Sequence, residues 1–190
     1  YVKVPADTSK PFEQIQGSGK LAADNMLTIL KPFFAGGQID AYSARQQAIS
    51  QIGDTGRLLG SDGLAALGEA AQEGVVETFA LVRPASSNDY CGVYLYLDEV
   101  GLLKQLAPNP RAGELARACG FDGAAFYGDV YLSRTCTRPP PMHNVDFKLE
   151  ETSSSADWLK RAAAENYDYG LGMRQIHDAI EEKGGTVIGR

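Results

Sequence analysis

The chain has 190 residues, 44% of them hydrophobic and 22% charged, with 24 acidic residues against 18 basic ones and a formal net charge of −6. This length suits one domain with its own core, and this balance is that of a folded globular protein rather than a disordered or coiled-coil one. The acidic excess, with no block of five or more lysines and arginines, argues against nucleic acid as a partner, because a binder of the phosphate backbone needs a basic patch.

Residues 1–19 hold two prolines and two glycines without periodicity and read as an extended arm on the surface. An opening at Tyr1 with no charged-then-apolar leader suits a processed organellar protein or a fragment. "KLAADNMLTIL" then sets Leu21, Met26, Leu27 and Leu30 on one helical face, stopped by Pro32 and the Gly36-Gly37 pair. The nearly apolar run from Leu27 to Phe34 is interrupted by Lys31 and Pro32 and is far shorter than the roughly 20 residues that span a bilayer, so no membrane crossing is expected. A second helix is predicted from Ile39 to Ile52, with Ile39, Tyr42, Ile49 and Ile52 inward. "IGDTGRLLGSDG" reads as a loop, after which Asp62 is the candidate N-cap of "GLAALGEAAQEG", ended by Gly74.

The character then changes. "VVETFALVRP", "CGVYLYLDE" and "AAFYGDVYLSR" are rich in β-branched and aromatic residues and alternate with period two, as strands do. "PASSNDY" joins the first two as an antiparallel hairpin. Between the second and third, "PNPRAGELARACG" predicts a short helix with Asn109 as cap, Pro110 in the first helical position, Gly120 at the end, and Ala112, Leu115, Ala116 and Cys119 inward. A strand-helix-strand succession predicts a right-handed crossover and a parallel third strand. "TRPPPMHNVDFKLEETSSS" cannot be helical across its prolines and reads as an extended excursion. Ser154 or Ser155 caps "ADWLKRAAAENYDYG", and a last helix, "LGMRQIHDAIEEKGG", carries Met173, Ile176, His177 and Ile180 at helical spacing. No internal repeat is visible. The expected fold is therefore α+β: an arm over 1–19, then one domain over 20–190. That domain comprises N-terminal helices over 20–74, a small mixed sheet of about three strands with a crossover helix over 75–134, an extended arm over 135–153, and C-terminal helices over 154–184.

No complete catalytic signature occurs. Three cysteines, Cys91, Cys119 and Cys136, and the absence of any Asn-x-Ser/Thr acceptor argue against a secreted disulfide framework, and Cys91 and Cys119 read as small core residues. Cys136 with His143 and Asp146 forms a candidate thiol triad, but neither a family signature nor a glycine-rich oxyanion turn flanks it. Zinc would draw on Cys136 and His143 with help from Cys91, Cys119 or His177, yet there is no Cys-x-x-Cys or His-x-x-x-His spacing. "GSGK" at Gly17 to Lys20 fails as a phosphate loop, with Gln14 where the first glycine belongs and Leu21 where Ser or Thr belongs; "GGTVIG" is not a dinucleotide fingerprint. His177, on an apolar helical face, reads as packed. No cofactor or metal is expected. The strand alternation puts Val93, Leu95 and Leu97 on one face and Tyr94 and Tyr96 on the other, and likewise opposes Phe126, Val130 and Leu132 to Tyr127, Asp129, Tyr131 and Ser133. One sheet face is thus a tyrosine platform, either covered by the chain's own helices or Trp158, or offered to a partner.

The run "YLYLDEVGLLKQLAPNPRAGELARACGF", followed by "FYGDVYLSR", "NVDF" and "WLKRAAAEN", resembles blocks found together in uncharacterised proteins of algae and related protists, over about Tyr94 to Asn166. In some of them the region sits beside a MYND-type zinc finger, which is absent here. The resemblance implies an algal or protist source and neither an activity nor a site residue. The resulting expectation is a non-enzymatic accessory or linker subunit of a larger protein assembly. It would be organellar, with a photosynthetic complex of the plastid first and a mitochondrial complex second, touching membrane-protein subunits without crossing the bilayer. Its interface candidates are Tyr94, Tyr96, Tyr127, Tyr131, Arg134, Arg138, Pro139, Pro140, Pro141 and His143. "RPPP" within Thr135 to Asp146 is the expected docking arm, semi-rigid through polyproline II. The competing expectation is a small-molecule enzyme or binding domain in the crevice between strand ends and helices, using Cys136, His143, Asp129 and Tyr127.

Overall fold

A computed structural model of the chain describes residues 1–16, 23–42, 44, 61–83, 91–159, 161, 162 and 166. Its elements in chain order are β1 (Val2–Val4), β2 (Glu13–Gln14), α1 (Ala23–Phe34), α2 (Ser61–Glu73), β3 (Val76–Val82), β4 (Cys91–Asp98), α3 (Pro110–Ala118), β5 (Val130–Cys136), β6 (His143–Val145) and a 3-10 turn at Leu149–Thr152. The strands form one six-stranded sheet in the order β2-β1-β5-β4-β3, with β6 paired to β5.

The α+β class holds, but the small mixed sheet of about three strands does not: among the described residues every pairing is antiparallel and the sheet has six strands. Three expectations fail together. The supposed arm over 1–19 contains β1 and β2, and β1 lies inside the sheet between β2 and β5, with Val2 and Val4 fully buried. Arg111 straps the following segment down, its guanidinium donating to the carbonyls of Pro5, Asp7 and Lys10 and lying 4.9 Å over the Phe12 ring. The supposed arm over 135–153 contains β6, whose Asn144 pairs with Thr135, and then buries Phe147 against Trp158. "RPPP" is accordingly the exposed turn of a β5–β6 hairpin rather than a polyproline arm.

The expected crossover is also absent, because the limbs flanking α3 pair with each other. Asn109 N donates to Phe126 O and Gly128 N to Ala107 O, closing the neck of the excursion. The chain therefore re-enters the sheet at the end where it left, and β5 runs antiparallel to β4 with Tyr131 opposite Tyr96. α3 itself follows the sequence signals: the Asn109 side chain accepts from Ala112 N, Pro110 occupies the first turn, and Ala112, Leu115, Ala116 and Cys119 are buried.

Register sorts the two faces of the sheet. Val2, Val4, Val93, Leu95, Val130 and Leu132 pack with α3, Phe126, Phe147, Trp158, Leu159 and Ala162 in the main core. On the opposite face Tyr96 and Tyr131 lie beneath Met26, Leu30 and Phe34, one turn apart along α1. Leu27, expected inward, is 41% exposed, and α1 continues through Pro32 to Phe34, since a proline in the last turn forfeits only one ladder bond. α2 begins at Ser61, which puts Asp62 in its first turn rather than at the cap. Gly74 ends it with φ +83°, and a Cβ there would sit 2.3 Å from Lys31 O, so only glycine fits. Of the helix expected over Ile39–Ile52, only Ala41, Tyr42 and Ala44 are described as helical. The last helix, with His177, and the loop at 52–60 lie outside the described residues.

Candidate functional site

Among the described residues two places carry groups that chemistry could use, and they lie at opposite ends of β5. The first is a cleft where the C-terminal end of α1 meets the start of β5, with a volume of about 570 Å³. Its lining includes Phe33 and Phe34 from the end of α1, Gly36 and Gly37 just past it, Lys3 and Asp7 from around β1, Asp98 from the end of β4, Lys104 from the turn after it, and Asp129 and Tyr131. Lys104 Nζ donates 2.7 Å to Asp98 Oδ2 and 2.6 Å to Phe34 O, with both charged side chains 2% exposed. Asp98 Oδ1 also accepts from Val100 N, so this buried pair has the extra hydrogen bonds that offset its desolvation. Lys3 Nζ lies 2.8 Å from Asp129 Oδ2, with 24% and 39% of the side chains exposed, and Asp129 Oδ1 accepts from Ala6 N. Partial burial pushes the Asp129 carboxyl up, but the Lys3 ammonium and the Ala6 N–H more than offset this, and the group ionises below its usual range. The Tyr131 hydroxyl is held well above its ordinary value, by burial first and then by the neighbouring Asp129 charge.

The second is the β5–β6 hairpin. Its turn, residues 137–142, exposes Arg138, Pro139, Pro140, Pro141 and Met142, the last at 45%. The base is tied in three ways. Cys136 forms a disulfide with Cys91, directly opposite on β4. Asn144 Oδ1 accepts from both Ser133 Oγ and Thr135 Oγ1, at 3.1 and 2.8 Å. Arg134 pairs with Glu151 and stands 5.6 Å over the Phe147 ring. His143 Nδ1 is 3.0 Å from Pro141 O, within the turn.

The tyrosine platform exists, but α1 covers it. Tyr96 and Tyr131 are 4% and 3% exposed and cannot meet a partner in this fold, while Tyr94 is half-buried beside them. Tyr127 belongs to the neck of the α3 excursion, bridged to Pro108. Cys136 is no nucleophile while disulfide-bonded, and Cys91 is its partner rather than a plain core residue. Asp129 precedes β5 and His143 pairs with its last residue, a separation of roughly 20 Å at strand rise, so Cys136, His143 and Asp129 do not form one site. Among the described residues no group of three or more His, Cys, Asp and Glu side chains could hold a metal ion. Nor is any helix there long and apolar enough to cross a membrane. The sequence reading missed Lys3, Asp98, Lys104 and Phe33; the lone lysine of "GLLKQL" inside an apolar run was the available signal for Lys104. Compared with protein families, curated proteins and solved structures, the chain matches none.

Proposed function

We propose that the chain is a non-enzymatic accessory subunit that docks on a larger protein assembly through the tip of its β5–β6 hairpin. The observation that carries this reading is a turn that exposes Arg138, Pro139, Pro140, Pro141 and Met142 while its base is cross-linked by Cys91–Cys136 and bridged by Asn144. A tip stiffened by prolines and held at its base has little conformational entropy left to lose, which favours recognition. An arginine beside apolar side chains suits a partner surface with acidic or carbonyl acceptors around an apolar patch. The plastid of an alga is the compartment this reading carries, with a mitochondrial complex second; both rest on the resemblance over about residues 94–166.

The test is a native pull-down with mass spectrometry from the source organism. It compares the unaltered chain with a tip variant, Arg138→Ala with Pro139→Ala, Pro140→Ala and Pro141→Ala, and a control variant, Glu114→Ala with Arg117→Ala on the exposed side of α3. The tip variant is expected to lose the co-purifying subunits and the control to keep them. Retention of the same subunits at full stoichiometry by the tip variant would remove the hairpin from the docking surface.

A further inference from the structure

We infer that the cleft between the end of α1 and the start of β5 binds a primary ammonium group carried on an apolar body, supplied by a small free amine or by a lysine side chain. The cavity, at about 570 Å³, has the size of a small-molecule site. One wall is aromatic: Phe33 is 55% exposed, with its ring 5.4 Å from that of Tyr131. The charged lining is Asp7, Asp98 and Asp129 against Lys3 and Lys104. Asp98 and Lys104 neutralise one another out of solvent, and Lys10 Nζ stands 4.0 Å from Asp7 Oδ2, which leaves Asp129, already paired with Lys3, as the carboxylate offered to a ligand.

The chain already shows the contact on a small scale. Lys3 brings a primary ammonium onto the Asp129 carboxylate at 2.8 Å, in a pair that stays partly open to solvent. A ligand ammonium would take the place of Lys3 on Asp129, with its apolar body against Phe33, whose ring face attracts a cation. A carboxylate or phosphate ligand would instead meet Asp7 and Asp129, with Lys10 and Lys3 already engaged by them. Lys3 is therefore an internal competitor for the ligand, not a contact to it, and this sets the direction of the decisive experiment.

Isothermal titration of the full chain with phenethylamine, Nα-acetyl-lysine amide and 3-phenylpropionate separates amine, lysine and acid ligands. One or both of the first two are expected to bind, and the one that does identifies the source; the acid is expected to give no heat. Asp129→Asn keeps an acceptor for Ala6 N–H and should weaken amine binding at least about tenfold. Phe33→Ala, at an exposed position where folding is not at stake, should weaken it about threefold, the scale of an exposed cation–π contact. Lys3→Met should tighten it. The inference fails if neither amine gives heat at about 10 mM, if the acid binds as tightly, or if Lys3→Met weakens binding in a variant whose thermal melt shows it folded.

Discussion

Asn109 is the side chain on which three segments meet. It caps α3 through Ala112 N, and its amide donates at 2.9 Å to Val4 O in β1 and to Gly128 O just before β5, all with 2% of the residue exposed. Asn109→Ala would lose the cap and take the side-chain donor from two buried carbonyls, an expected loss of about 2–4 kcal/mol in urea unfolding. Asn109→Ser, which keeps the cap, should recover part of it. The cysteines make a sharp chemical prediction. With Cys91–Cys136 bonded and the buried Cys119 thiol pushed up to about 12 by desolvation, the native protein should give no reaction with a thiol reagent. One thiol should appear on denaturation, and all three after denaturation with reduction. Asp129 sets an acid limit. Its folded pKa lies below the unfolded one, so the stability it contributes is present above about pH 4 and is lost as pH falls through the folded value. Urea midpoints measured downward from about pH 6 should therefore drop less steeply below pH 4 in Asp129→Asn than in the unaltered chain.

The elements differ in how far the sequence revealed them, and length is the reason. β4 spans eight residues with clear alternation, so both its faces were legible, as was α3 from its Asn-Pro start. β1 and β6 span three residues each, too short for a period of two to stand out, and β6 hides behind prolines that look like a break in structure but are a hairpin turn. Their position cannot be read locally, because β1 and β6 share one edge of β5, β1 against Val130–Leu132 and β6 against Arg134–Cys136. The same holds for the cleft, whose Lys3, Lys104 and Asp129 come from three distant segments. Removal of residues 1–16 tests the placement of β1. An arm would come away and leave a cooperative melt, whereas loss of buried Val2 and Val4 from the main core, with the β5 edge laid open, should abolish the cooperative thermal transition. Circular dichroism melts of the two chains decide it.

For the molecule as a whole, the disulfide is the one covalent link across the sheet among the described residues, joining cysteines 45 residues apart. Closing a loop of that size in the unfolded chain is worth about 4 kcal/mol by loop entropy, so Cys91→Ala with Cys136→Ala should lower unfolding stability by about 3–4 kcal/mol. The difference between urea curves of the oxidised and reduced unaltered protein should match it. Such bonds persist in oxidising surroundings, which bears on any compartment proposed for the chain. The placement of β1 also has a consequence in time. Ala6, just past β1, bonds to Asp129, 123 residues later. At a synthesis rate of roughly 5–20 residues per second, the growing chain carries this strand, with Val2 and Val4 uncovered, for roughly 6–25 s before its partner exists. The middle of the sheet closes only when β5 is made, so folding is governed by distant pairings and is expected to be slow. During that interval the nascent chain presents an apolar strand with only the two-residue β2 beside it, the kind of segment that holding chaperones shelter.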